Sequence, residues 1–304
     1  MAGLLQPLFD AISLGSIYAL GALGIALIFG VMRLINFAHG QYIAFCVFAL
    51  LIPSTEVVTG MLLGALPSWL IVLSVLGVGA LLSIASEVVV FRRLRNANPA
   101  VLMIASFALG IVIQNVLLVS YSSRPKSVSL WPELSLPVEM LGASIPLLQV
   151  LTVLVTIVLL LGLVFFLKRT RFGLEMRAAA ENFTMARMLG VRANRIILLA
   201  FGISGALAGA IALVLVSQTG TADIRMGLPI MLIAFVATVI GGMGSLQGAV
   251  LAGFLLGAAS VTLQLLLPLD IRPFRDAFLY LAVIACLICR PEGLFRAGPS
   301  SERV

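Results

Sequence analysis

The sequence predicts an all-α, polytopic integral membrane protein with about eight to nine transmembrane helices. Three observations predict it. Of 304 residues, 62% are hydrophobic and 10% charged, which is more apolar surface than a water-soluble globule can hide. The apolar residues fall into runs close to the roughly 20 residues that a helix needs to cross a bilayer core of about 30 Å. The basic residues gather in alternate intervals between those runs, as expected when Lys and Arg are retained on one side of a membrane.

The predicted spans are 8–30, 35–53, 67–91, 99–121, 145–167, 196–217, 229–241, 249–267 and 276–290. The first has no Lys or Arg ahead of its apolar run, unlike a cleaved secretory signal, and is expected to be retained. The second holds the stretch RLINFAHGQY (33–42), with Asn36, His39 (the one histidine), Gly40 and Gln41. A helix of residues 41–53 would rise only about 20 Å. Begun near Asn36 it reaches across, with Asn36 as N-cap and Arg33 snorkelling to the headgroups. Phe37 and Tyr42 then pack on neighbouring helices, and Gly40 admits another helix close by. The third span ends with Glu87 close enough to Arg92 to pair or snorkel.

Between the fourth and fifth spans, residues 122–144 are rich in Pro and Ser and carry Trp131. This stretch reads as an interfacial loop with an aromatic anchor, and a docking or lid element is the alternative. The sixth span has Gly205 and Gly209, and the eighth Gly253 and Gly257. That spacing lets helix backbones approach closely, so packing is the expected role and lining a pathway the alternative. The seventh span is short, starting at Pro229 and ending at Gly241 and Gly242. Short, Gly-interrupted spans are where transporters open backbone groups to solutes. Asn36, Phe37, His39 and Gly40, with Gly241, Gly242 and Gly244, are therefore candidate pathway or gating residues. A capped helix start and a tight turn are the competing reading. In the last span, Cys286 and Cys289 of CLIC, like Cys46, read as small hydrophobes, because no other Cys or His lies nearby in sequence to complete a metal or redox site.

Arg33, then Arg92, Arg93 and Arg95, then seven basic residues from Lys168 to Arg195, then Arg290, Arg296 and Arg303 fall on one side, fourteen of the 19. Arg124, Lys126, Arg225, Arg272 and Arg275 fall on the other. The N-terminus is thus expected outside and the C-terminus in the cytoplasm. The net charge of +7 sits in loops flanking spans, with no soluble module to bind nucleic acid. Residues 1–304 read as a single transmembrane domain. Acids lie in loops or near span ends, with Asp10 and Glu87 the deepest, so no central proton relay is visible. No G-x-x-x-x-G-K-[ST] phosphate loop is present. GGMGSLQG (241–248) has no Lys after its glycines and reads as a tight turn. No cofactor is expected.

The longest basic interval, 168–195, includes an Ala-rich stretch from Leu174 to Leu189 with Met176, Ala180, Phe183, Met188 and Leu189 loosely on one side. An amphipathic helix of about four turns, stopped by Gly190, fits it. Such a helix suits either an interfacial anchor or a surface for a partner's groove.

This interval, with RAAAEN, ARMLGV and the following ISGALAGAIA, resembles the cytoplasmic coupling segment of the branched-chain amino acid ABC importer permeases. GSIYALGALGIALIFGVMRLINFAHG (15–40), IGGMGSLQGAVLAGFLLG (240–257) and RPEGLF (290–295) follow in the family order, so the resemblance spans nearly the whole chain. The general importer motif begins E-A-A with Gly four residues after the last Ala. Ala186 and Gly190 keep that spacing, while Thr184 and Met185 replace the leading residues. The resemblance implies a permease subunit, not an enzyme, in a bacterial inner membrane. It implies a second permease chain (the same or a paralogue), cytoplasmic ABC ATPase subunits and an extracytoplasmic substrate-binding protein. Arg177, Glu181, Ala186, Leu189 and Gly190 are the implied ATPase-coupling residues. A permease for amides, urea or sugars, an ion-coupled carrier and a passive channel are the alternatives.

Overall fold

A computed structural model describes residues 2–54, 56, 60–63, 66–95, 97–140, 143–290 and 293–294. The predicted membrane-helix architecture is present. The helices α1 (Ala2–Met32), α2 (His39–Phe48), α3 (Ser68–Ser86), α4 (Arg92–Leu94), α5 (Pro99–Tyr121) and α6 (Leu147–Arg169) occupy the first half. A π-helical turn, Glu87–Phe91, joins α3 to α4. Then follow α7 (Arg171–Glu181), α8 (Phe183–Met188), α9 (Ala193–Thr219), α10 (Gly227–Ile240), α11 (Leu246–Leu266) and α12 (Arg275–Cys289). Among the described residues, six helices are long and apolar enough to cross a membrane: α1, α3 with α4, α5, α6, α9 and α11.

The second predicted span, 35–53, is shorter than expected, with only 10 residues helical in α2, whereas α10 with 14 residues and α12 with 15 have the lengths predicted for the short seventh span and the last. At 1.5 Å per residue α2 rises about 15 Å and α10 about 21 Å, less than a bilayer core. The expectation that Asn36 caps a full-length second span is corrected by backbone geometry. Arg33 has φ +55°, which breaks α1, and the chain stays non-helical through Ala38. Ala38 holds the N-cap position. Asn36 instead makes the turn before it, its Oδ1 accepting from Ala38 N at 3.1 Å, an Asx turn.

The all-α expectation also misses two small antiparallel strand pairs. Strand β1 (Lys126–Ser127) pairs with β4 (Thr221–Ala222), and β2 (Pro137–Met140) with β3 (Ala143–Pro146). The 122–144 stretch is therefore fastened to the α9–α10 connection. It is also pinned to the chain after α2. Lys126 is fully buried and its Nζ donates to the carbonyls of Ser54, at 2.7 Å, and Glu56. Trp131 Nε1 donates to Ser68 Oγ at 3.2 Å.

Most of α1 is buried, and it packs along α11, α10 and α9. The small-residue spacing serves packing. A Cβ on Gly257 would lie 2.3 Å from Gly15 Cα, and one on Gly205 2.1 Å from Gly79 O, so α11 meets α1 and α9 meets α3 backbone to backbone. The helix ends separate into two faces. One carries Arg33, the Arg92 to Arg95 cluster, α7, α8, the α10–α11 turn and Arg290, and is called the basic face. The other carries the start of α1, the strand pairs and the α11–α12 connection. Arg296 and Arg303 lie outside the described residues.

Candidate functional site

The first segment singled out for a pathway or gating role, Asn36 to Gly40, meets helix α10 at the middle of the molecule. Residues 35–37 are stitched to α5, where Phe37 N donates to Ser106 Oγ at 3.2 Å. Ala38 and Gln41 lie level with Gly110, halfway along α5. From there α2 runs to the C-terminal end of α5, where Tyr121 Oη donates to Phe48 O at 2.9 Å. Helix α10 begins at the same depth. A Cβ on Gly227 would lie 1.9 Å from Gly40 O, an approach that only glycine permits on both sides. From Gly227, α10 runs the opposite way to the basic face, and Phe37 stacks obliquely on Phe235 with ring centroids 5.7 Å apart. Two half-length helices thus start side by side and run to opposite faces. Their N-terminal ends, each worth roughly half a positive charge, converge at the centre.

The polar residues around this junction are buried. Asn36 Nδ2 reaches Tyr42 Oη at 3.4 Å. Ser204 Oγ donates to Gly24 O at 2.9 Å and lies 3.3 Å from His39 Nδ1. With the hydroxyl proton committed to Gly24, His39 donates through Nδ1–H, which leaves Nε2 an acceptor. Among the described residues neither His39 Nε2 nor Gln41 Oε1 has a partner, a cost of about 1–3 kcal/mol for each.

Gly241, Gly242 and Gly244 make the turn between α10 and α11. Gly242 and Gly244 have φ of +89° and +98°, and Gly241 packs against Gly248, whose Cβ would lie 1.9 Å from Gly241 O. Ser245 Oγ caps α11 by accepting from Gly248 N at 3.0 Å, and Leu294 N donates to Ile240 O at 2.7 Å. These three glycines belong to a closed turn at the basic face, apart from the central junction.

The predicted four-turn helix of the 168–195 interval is two helices. Asn182 takes extended backbone angles (φ −148°, ψ 99°), and its side chain caps α8 by accepting from Met185 N at 3.0 Å. The buried side is Gly173, Met176, Ala179 and Ala186, whereas Met188 and Leu189 are 76% and 85% exposed. Arg177 and Glu181 are exposed, and they share with Gly244 and the Ala26 to Val31 end of α1 a cavity of about 220 Å³. Gly190, at φ +90°, closes α8: its N–H donates to Arg187 O and Val191 N donates to Ala186 O, the paired bonds of a left-handed helix stop. Arg33 was expected at the headgroups. It is exposed at the basic face, and its Nη2 donates to Ala180 O at 3.3 Å, tying the end of α1 to α7.

Two further groups were not singled out for function from sequence. Glu87, fully buried in the π-helical turn, pairs with Arg92 at 3.1 Å and with Arg95, which also donates to Asn194 at the start of α9. On the face opposite the basic one, a cavity of about 370 Å³ between α1, α6, α9, α11 and the start of α12 is lined by Asp10, Gln149, Gln218, Gln264, Arg272 and Arg275. Isolated Asp or Gln residues near the ends of apolar helices were the available signal. A larger, mostly apolar cavity of about 840 Å³ lies between α3, α6 and α9. Among the described residues no three His, Cys, Asp or Glu side chains cluster to hold a metal.

Six long spans, two half-length helices meeting at mid-depth and a helix pair projecting from a basic face define a polytopic transport permease. Residues 8–287 match the branched-chain amino acid transport system permease component family, and the chain belongs to that family. It is 34% identical over 312 residues to the high-affinity branched-chain amino acid transport system permease protein BraD of Pseudomonas aeruginosa, covering 99% of this chain and 98% of that one. It is 31% identical to LivH of Salmonella typhimurium, with 99% and 97% covered. A shorter similarity, 34% over 134 residues, or 42% of this chain and 40% of the other, links it to the autoinducer 2 import system permease protein LsrC of Photorhabdus luminescens. No solved structure gives a significant match.

Proposed function

We propose that this chain is the permease subunit of an importer carrying branched-chain or similarly small apolar amino acids across the bacterial cytoplasmic membrane, driven by ATPase subunits on other chains. The observation that carries the coupling is the exposed α7–α8 surface. Met188 and Leu189, with Leu174 and Met185, are exposed apolar side chains among the charged residues of this helix pair, as apolar anchors are when a partner covers them. Arg177 and Glu181 supply the polar contacts beside them, while Ala186 and Gly190 set the shape of the loop. Retention of Lys and Arg makes this face cytoplasmic, with the N-terminus outside and the C-terminus inside. A second permease chain, a copy or a paralogue, completes the passage. An extracytoplasmic binding protein delivers solute to the opposite face.

Movement of the ATPases displaces α7, and the bond from Arg33 to Ala180 passes that displacement to the junction of α1 and α2. The Glu87 cluster, bonded to Asn194, carries it in parallel to α3 and α9. The test is gentle purification from membranes. An ATPase accompanies the native chain and is lost from a Glu181→Ala, Gly190→Trp double variant. A chain that brings no ATPase and transports solute alone in liposomes would sink the proposal.

A further inference from the structure

We propose that the polar cavity on the face opposite the basic one is a binding site for a zwitterionic amino acid on its way into the membrane. The inference rests on the functional reading above and adds to it a place where this chain itself recognises solute. The cavity holds a charge pattern suited to two opposite charges on one small molecule. Arg275 is already neutralised by Asp276 at 2.9 Å and also donates to Gln264 Oε1 at 3.1 Å. That leaves Asp10 and Arg272. One Asp10 oxygen accepts from Gln149 Nε2 at 2.8 Å, a bond that orients the carboxylate and leaves its other oxygen to receive an ammonium group. Arg272 uses its Nε on Leu267 O at 3.3 Å. Its two terminal nitrogens have no hydrogen bond among the described residues, and they form the fork that matches a carboxylate.

The rest of the wall fits the remainder of such a molecule. Leu14, Val261 and Leu265 supply apolar surface for a short aliphatic side chain. The volume stands at the small end of ligand cavities, roughly 300–1,000 Å³. Below, Gln218 bridges α9 to Ser13 on α1 and Thr152 on α6, at 3.5 and 3.3 Å, and α1 meets α11 at Gly15 and Gly257. Arg272 at the rim is exposed, and the Gln218 bonds and the α1–α11 contact lie on the central side, an arrangement that suits a loading position.

The experiment uses the complete transporter in proteoliposomes with saturating, leucine-loaded binding protein. Asp10→Asn and Arg272→Gln each lose one charge-assisted contact, so leucine uptake falls at least about tenfold while ATPase stimulation by the binding protein persists. In parallel, Gln218→Cys, with the native cysteines replaced by alanine, is labelled by a small thiol reagent. Leucine slows labelling, whereas leucinamide, lacking the carboxylate, and 4-methylpentanoate, lacking the ammonium, do not. Wild-type transporter that imports leucine alongside unimpaired variants overturns the site, as does labelling indifferent to leucine. Labelling that follows the phosphatidylethanolamine content of the vesicles overturns it in favour of a lipid headgroup. Wild-type transporter that imports a different solute and no leucine refutes the substrate reading instead.

Discussion

Gly227→Ala tests whether the central junction depends on backbone contact. The added Cβ would sit 1.9 Å from Gly40 O and 2.8 Å from Gly40 C. Carbon and oxygen approach comfortably to about 3.3 Å, so the overlap is about 1.4 Å. Both sides are backbone, and no side chain can swing aside. Helices α2 and α10 must part, loosening the Phe37 and Phe235 contact, at the 1–3 kcal/mol typical of overpacking. Gly40→Ala is milder, because its Cβ would meet Gly227 O at 2.8 Å. Gly30→Ala is the control, since nothing among the described residues lies within 4 Å of its Cβ. At roughly 2–4 °C for each kcal/mol, Gly227→Ala lowers the thermal midpoint in detergent by about 2–12 °C, Gly40→Ala by less and Gly30→Ala hardly at all. Equal midpoints for Gly227→Ala and Gly30→Ala would refute the close-contact argument.

Glu87→Gln leaves Arg92 and Arg95 without their acid. The loss is roughly 1–3 kcal/mol, less than for a wholly buried pair, because Arg92 is 38% exposed and screened. A thermal midpoint equal to wild type would count against the cluster as a tie between α3 and α9. His39→Ala and Asn36→Leu disturb the junction at single buried polar groups. Uptake is expected to be lost with assembly intact, and normal uptake in both would show that these residues only shape a helix start. Gly190→Val forces a β-branched residue to φ +90°, at about 1–3 kcal/mol of local strain. ATPase co-purification should fall while the melting of the membrane part stays put, and unchanged recovery would remove Gly190 from the coupling surface.

The long helices were legible because an apolar run of bilayer length has few other solutions. The 168–195 interval and its stop at Gly190 were legible for a local reason, since left-handed geometry favours glycine. The break at Asn182 was missed although Asn three residues before Met185 is itself a capping signal; the helix propensity of the Ala-rich run outweighed it. The short length of α2 was hidden because hydropathy does not register a left-handed residue at Arg33. Phe37 and Phe235 were each in a flagged segment, yet nothing local says that residues so far apart in sequence touch. The same limit concealed the polar cavity opposite the basic face. Asp10, Gln149, Gln218 and Gln264 come from four different helices, and each alone looks like a tolerated polar residue near a span end.

The opposed half-helices bear on how a transporter stays ion-tight. A cation at mid-depth would have lost most of its water and would face the positive ends of both α2 and α10 in a medium of low dielectric constant, where repulsion is weakly screened. An amino acid carrying both charges can turn its carboxylate toward those ends and so offset the repulsion felt by its ammonium. Helix geometry alone would then keep protons and metal cations from leaking down the membrane potential while neutral solute passes, without spending a single charged side chain at the centre of the bilayer.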